Sequence, residues 1–428
     1  MKTYDRPKEK ELREILTRPV KDTEQIEKIV MPILDKVRRG GDHALRKCAL
    51  EYDHVTLKDL WVSEKEILEA RDQVDEDLKE AIKIAAKNIT EFHEAQKVDD
   101  LEMEVMQGVV CSRKSVPIQR IGLYVPGGTA PLFSTVLMLG IPAKIAGCKQ
   151  IILASPTNRL GKLNPVILYT ADLIGIKKIL KVGGAHAIAA MAYGTESITS
   201  VDKIFGPGNQ YVTAAKQLVA KDSAAIDMPA GPSEVMVVVD EKADPDFAAA
   251  DLLSQAEHGV DSQVVLVATS KNSVEEIEKC VANQLKTLPR KDIAKEALKH
   301  SVSIVQPDLN AMLDVINEYG PEHLIINHKE SKKLLKGIVN AGSVFIGPYT
   351  PESAGDYASG TNHTLPTNGW AKSYSGVSLE SFQKKITYQE ISKKGIKALG
   401  PVIEKMAAAE QLDAHKQAVT IRLNSLKK

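Results

Sequence analysis

The sequence predicts an α/β protein: two doubly wound units of parallel strands and covering helices, with a helical N-terminal region and a small helical C-terminal tail. Three observations carry that prediction. Short apolar runs alternate with helix-length segments from Arg120 to Val219; the alternation restarts after Pro229-Ala-Gly-Pro232 and runs to Ile346; both flanks lack it. Strands and helices in alternation argue for a parallel sheet covered on both faces.

Taken in order, residues 1–20 are polar and read as an arm. From Asp22 to about Lys97 the period is helical, with Ile26, Ile29, Val30, Ile33, Leu34 and Val37 on one stripe. Arg39-Gly-Gly-Asp42 is expected to stop that helix, and Asp42 to cap the next. Residues 64–94 form a long amphipathic region. Ile121–Val125 reads as a strand before Pro126-Gly-Gly128. There follow a helix near 134–146, strand Gln150–Ala154, helix 164–174, strand Lys178–Val182, helix 185–193, strand Lys203–Phe205 and helix Gln210–Val219. The second unit begins with strand Glu234–Val239, helix 245–257 and strand Gln263–Ala268. It continues through Val302–Val305, His323–Ile326 and Ser343–Ile346. From about Leu379 to Lys428 the chain reads as helix, too short for a large core of its own.

The bulk numbers exclude several classes. With 428 residues there is chain enough for two or more cores, and Lys+Arg and Asp+Glu are both 56. That balance leaves no basic field for nucleic acid. No apolar run approaches the ~20 residues of a membrane span, and the first residues are too charged for a signal peptide. Cys48, Cys111, Cys148 and Cys280 form no C-x-x-C pair, which fits a reducing cytoplasmic setting. Cys148 has no cation or His beside it in sequence and reads as a packed thiol.

Chemistry concentrates in four places. The stretch SAGDYASGTNHTLPT, 353–367, has no helical or strand period and reads as an irregular loop carrying Asp356, Asn362 and His363. Gln255 and His258 stand at i and i+3 and share a helix face. They suit a metal, though an amide is an unusual ligand, and they equally fit the description of a polar helix end before Gly259. Glu322 and His323 follow a Gly-Pro turn at a strand mouth, where a ligand crevice is expected and where His and Glu can act as bases; a charged surface turn would look alike. Glu410 and His415 are five apart, about 140° around one helix, so spacing alone does not bring them to one ligand. Turns at Gly127-Gly128, Val182-Gly-Gly-Ala185 and Phe205-Gly-Pro-Gly-Asn209 place glycines where backbone N–H groups meet phosphate, without a complete G-x-G-x-x-G.

Read together, RIGLYVPGGTAPLFSTVLMLGIPAKIAGC, VDKIFGPGNQYVTAAK, AIDMPAGPSEV, LLSQAEHG, GPEHL, PESAGDYASGTNHTLPT and AAAEQLDAHKQAV closely resemble the histidinol dehydrogenase family over about residues 20–428. The resemblance implies two incomplete Rossmann-like domains. The zinc and substrate side would be 21–123 with 234–377, the NAD side 124–233, and 378–428 a tail reaching a partner subunit. It implies oxidation of L-histidinol to L-histidine with two NAD+ reduced in turn. Carried over, the Zn2+ ligands are Gln255, His258, Asp356 and His415, the last from the other subunit of a homodimer with shared active sites.

By the same resemblance the substrate meets Ser233, Gln255, His258, His323, Asp356, Glu410 and His415, with His363 lining the pocket. Glu322 and His323 are its catalytic bases. Tyr124 and Asn209 match dinucleotide-contacting positions. His186 stands where family members carry Gln, so its part in NAD+ binding departs from the pattern. Two alternatives stay open: the same scaffold acting on another polar alcohol, and a non-catalytic dimer tied by zinc.

Overall fold

The computed structural model describes residues 1–19, 23–127, 131–229 and 231–427. Asp22, Gly128 and Ala230, expected at a helix start and in two turns, lie outside the described residues. The chain groups into two compact units, Met1–Ala95 with Ile118–Ser381 and Gln96–Pro117 with Phe382–Lys428.

In chain order the strands are β1 (Lys2–Asp5), β2 (Leu101–Met106), β3 (Val109–Pro117), β4 (Arg120–Tyr124), β5 (Gln150–Ala154), β6 (Ile179–Leu180) and β7 (Lys203–Phe205). Then come β8 (Ala225–Ile226), β9 (Glu234–Val239), β10 (Gln263–Ala268), β11 (Val302–Val305), β12 (His323–Asn327), β13 (Ser343–Ile346) and β14 (Gln383–Ile391). Within the larger unit one parallel sheet has the order β6-β5-β4-β7-β8, and the other the order β1-β11-β10-β9-β12-β13. Apart from edge strand β1, each starts at its centre, winds outward on one side and then crosses to the other. That is the doubly wound path, with five strands in each sheet and β1 added as a sixth at the edge of the second.

Alternation along β9 accounts for the layering of the second sheet. Val235, Val237 and Val239 face the core containing helix Pro245–Ala256. Met236 and Val238 face the opposite core, with Leu12, Val315 and Tyr319. In the first sheet Ile152, Ala154 and Leu180 pack under helices Thr23–Tyr52, Gly184–Tyr193 and Gln210–Val219.

Several expectations are corrected. Residues 1–20 are no arm: Lys2–Asp5 pair in parallel with Val302–Val305, and Leu12 and Leu16 are buried. A strand of four residues carries too little pattern to read against its charged neighbours. The helix from Thr23 does break where Arg39-Gly-Gly-Asp42 predicts, at Gly41 (φ 51, ψ -141), and a second helical stretch runs on to Tyr52. Asp42 is engaged elsewhere: its N–H donates to Glu196 Oε2 (2.7 Å), and Thr195 and Ser197 donate to its carboxylate. The region 64–94 is two helices, Glu64–Gln73 and Glu76–Glu94, the second capped by Asp75. Residues 353–357 are not loop, because a short helix spans Glu352–Tyr357.

In the smaller unit β2, β3 and β14 form an antiparallel sheet in the order β14-β3-β2. The tail is therefore not purely helical, and 96–117 belongs with it rather than with the first α/β unit. Two helices follow, Lys393–Ala409 and Asp413–Ser425.

Candidate active site

The two parallel sheets expose their chemistry at opposite edges. On the first sheet it lies past the C-terminal strand ends, as the rule for open α/β sheets expects. Tyr124 ends β4, and its buried hydroxyl accepts the N–H of Gly184 (3.1 Å), the first residue of helix Gly184–Tyr193. Burial pushes this phenol up to about 12. Gly206, just past β7, sits at φ 122, and a Cβ there would run into the Tyr124 carbonyl. Only glycine allows these two strand ends to close up so tightly. Asn209 is exposed, and its side-chain oxygen accepts the N–H groups of Tyr211 (3.0 Å) and Val212 (3.1 Å), capping helix Gln210–Val219. His186 is buried, with Nε2 3.0 Å from Asp53 Oδ2. Near this edge the buried hydroxyls of Ser155 and Thr157 and the Gln210 side-chain oxygen have no hydrogen-bond partner.

On the second sheet the candidate residues lie at the N-terminal edge, with Glu322 and His323 at the strand mouth where the Gly-Pro turn was expected to put them. A helix crossing back after a parallel strand ends beside the strand starts. Helix Pro245–Ala256 therefore delivers Gln255 and His258 to where β9, β10 and β12 begin. His323 opens β12, and Glu322 precedes it.

Both are pinned by the backbone of Glu234. Glu322 Oε2 accepts the Glu234 N–H (2.9 Å), and His323 Nδ1 donates to the Glu234 carbonyl (3.2 Å). The second bond puts the neutral imidazole proton on Nδ1 and leaves Nε2 as the basic nitrogen. That Nε2 is buried without a hydrogen-bond partner, 3.4 Å from Asp356 Oδ1. Burial alone would lower the His323 pKa, but the carboxylates of Glu352, Glu322 and Asp356 outweigh it and push it well up. Burial also raises Glu322 above the usual carboxylate range. Gly342 lies against this pair, since a Cβ there would come 2.5 Å from the Glu322 carbonyl oxygen.

The expected ligands are partly assembled. His258 and Asp356 are joined by Glu352, and one ligand atom from each lies within 4.8 Å of the others. Glu352 and Asp356 stand at i and i+4 on the short helix and so share a face. Desolvation lowers the His258 pKa, although the residue is exposed at the surface. Burial lifts Glu352 to about 8.

Gln255 is buried, not the exposed helix end that was the alternative. Its amide satisfies its neighbours only in the orientation that turns the nitrogen to Glu352 Oε1 and the oxygen to the Glu234 N–H at 3.0 Å, so it is assigned that way. His363 is held at both nitrogens: Nδ1 donates to the Asp356 carbonyl (2.9 Å), and Nε2 meets Thr135 Oγ1 (3.2 Å). Ser233 is half-buried, its carbonyl accepting from the Gln263 N–H (3.2 Å). In the smaller unit Glu410 ends one helix and His415 lies in the next, both exposed, with a corner between them rather than one continuous helix.

Sequence reasoning missed Glu352, Glu234 and Thr135. Glu352 had a signal, its spacing of four from Asp356, hidden once the segment was taken for loop. Cys148 is a packed thiol as expected, pushed up to about 11 by burial.

The histidinol dehydrogenase family model matches residues 16–423. A histidinol dehydrogenase of Bacteroides fragilis (strain YCH46) is 57% identical over 428 residues, covering 100% of both chains. That of Campylobacter jejuni (strain RM1221) is 51% identical over 427 residues, covering 99% of each. A crystal structure of histidinol dehydrogenase from Elizabethkingia anophelis superposes with a TM-score of 0.97 at 53% identity, covering 100% of this chain and 99% of that one. With family model, relatives and fold in agreement along its length, the chain belongs to the histidinol dehydrogenase family.

Proposed function

We propose that this chain oxidises L-histidinol to L-histidine in histidine biosynthesis, in two successive NAD+-dependent steps at a site that binds zinc. One observation carries the reading: a buried His323 whose Nδ1 is committed to a carbonyl and whose Nε2 has no partner, next to a pinned Glu322.

The donor set fits a zinc ion. Glu322, Glu352 and Asp356 crowd one imidazole in a buried space, an excess of negative charge that a divalent cation neutralises. His258 and Asp356 would hold the metal with Gln255, Glu352 stands beside them, and the family resemblance adds His415 of the partner subunit. When bound, zinc supplies a positive charge that orients the amino alcohol and favours its ionised form. NAD+ supplies the hydride acceptor, on the side of Tyr124, His186 and Asn209.

The protein's own groups then divide the work. With a cation offsetting the surrounding carboxylates, neutral His323 would accept the alcohol proton at Nε2 as hydride leaves the carbinol carbon for NAD+, giving an aldehyde that stays bound. Glu322 takes a proton from the water that adds to the aldehyde, and a second hydride leaves the hydrate to give the carboxylate. His363 and Thr135 fix the turn carrying Asp356, so the pocket keeps its shape between the two oxidations.

A homodimer is part of the reading. Leu101, Met103 and Val105 are exposed at alternate positions of β2, as are Val402, Met406 and Ile421 on the tail helices, which is the kind of apolar surface a second copy covers. No described helix is long and apolar enough to cross a membrane. The cysteines form no disulfide among the described residues, which fits a reducing, cytoplasmic site of action.

The test is NADH formed per histidinol consumed. The expected outcome is two NADH per histidinol, lost on chelation and restored by zinc. Glu322→Gln should slow aldehyde oxidation most, and His323→Asn the first oxidation. A Glu322→Gln enzyme that completes both steps at the normal rate overturns the division of roles.

A further inference from the structure

The Glu234 side chain, on the residue whose main chain holds Glu322 and His323, is itself gripped by distant segments. It is 2% exposed. Arg18 grips it with two donors, Nε to Oε1 (2.5 Å) and Nη2 to Oε2 (2.9 Å), the fork geometry that suits guanidinium and carboxylate. The same Nη2 donates to the Tyr319 carbonyl (2.8 Å), and the guanidinium carbon lies 4.0 Å from the Tyr319 ring centroid. Tyr319 is fixed in turn by its hydroxyl donating to Gln263 Oε1 (2.9 Å). On the other flank the Asn368 N–H donates to Glu234 Oε1 (2.8 Å).

Segments distant in sequence thus meet at one carboxylate on β9: the N-terminal stretch through Arg18 and the chain just past the Asp356 loop through Asn368, with the end of the helix before β12 holding Arg18 through Tyr319. A buried ion pair is weak evidence for stability, because desolvation offsets much of the attraction. Something other than bulk stability has to account for this convergence. Glu234 is the residue whose N–H holds Glu322 and whose carbonyl holds His323.

We propose that Arg18 and Glu234 form a buried clamp whose function is to position Glu322 and His323 for reaction, acting through the main chain at residue 234. Both are positioning residues, and the inference rests on Glu322 and His323 being the reacting pair. If the clamp slackens, the start of β9 shifts, and the imidazole and the carboxylate move together. A displacement of about 1 Å at reacting groups can cost on the order of a hundredfold in rate.

The experiment uses the zinc-loaded enzyme with histidinol and NAD+, and three variants: Arg18→Met, Arg18→Lys, and the double variant Arg18→Met/Glu234→Gln. Arg18→Met should lower kcat about tenfold to a hundredfold while KM moves less than about threefold. Arg18→Lys should recover only part, since an ammonium cannot reproduce the two-donor fork. The double variant removes both buried charges, so its thermal midpoint should return toward wild type while kcat stays depressed.

Recovery of kcat together with the melting temperature in the double variant would make the pair structural and overturn the proposal. So would an Arg18→Met enzyme with normal kcat. Glu322→Gln and His323→Asn serve as controls. If both keep wild-type turnover, the reacting pair is misassigned; if both lose it while the Arg18 variants stay normal, the clamp alone fails.

Discussion

Glu352 illustrates how a residue can matter through a spacing that single letters hide. Its neighbours in Pro351-Glu352-Ser-Ala-Gly355 carry no helical period, so the acid looks like any surface carboxylate. Once the segment is a helical turn, Glu352 lies one turn before Asp356, fully buried, facing Gln255 and His323. Groups that orient metal ligands typically contribute ten- to a hundredfold in metal affinity. Glu352→Gln should therefore weaken zinc binding by about ten- to a hundredfold, read by competition with a chromogenic chelator and without substrate. Unchanged affinity would make Glu352 a packing residue. By contrast His258, Asp356, Glu322 and His323 stand out as candidates by residue type, but a polar helix end or a charged surface turn would look alike, and their roles came only with the family resemblance.

Among the elements, helix Pro245–Ala256 carries a further buried acid, Asp251, which burial alone lifts from 3.8 to about 7. A carboxyl whose folded pKa is raised favours the folded state while protonated and loses that contribution as pH climbs from its unfolded value to its folded one. Above about pH 7 the penalty reaches an upper bound of about 4 kcal/mol. Asp251→Asn should accordingly raise the thermal midpoint at pH 8 and leave it nearly unchanged at pH 4. Equal shifts at both values would show that the acid has a charge partner in the fold.

The strands and helices of the two parallel sheets were readable because β9 and β10 are near-continuous runs of Val, Met and Leu and the covering helices are long. Strands β2 and β3 were not. Leu101-Glu-Met-Glu-Val-Met106 alternates apolar and acidic residues in a fully exposed strand, and no buried face marked it out. The edge at which each sheet gathers its candidate residues was also hard to read. The strand rule favours C-terminal ends, and only the return path of helix Pro245–Ala256 moves the second sheet's chemistry to its strand starts.

At the scale of the whole molecule, the proposed centre draws His258 and Asp356 from one chain and His415 from another. Such a site is symmetric and reciprocal. Mixing a His258→Ala enzyme with a His415→Ala enzyme, each inactive alone, should restore about a quarter of wild-type turnover after subunit exchange, because half of the random dimers carry one intact site. No recovery, with exchange verified by mass, would place both imidazoles in the same chain's site. Sequence alone left this open, since a five-residue gap between Glu410 and His415 says nothing about which chain they face.

The main chain at residue 234 holds one reacting group by its amide and the other by its carbonyl. Exchanging the letter at that position deletes neither interaction directly and reaches them only by moving the backbone that makes them. Two enzymes of this kind could therefore diverge widely in composition around β9 and retain identical chemistry, provided the path of the polypeptide through that point is kept.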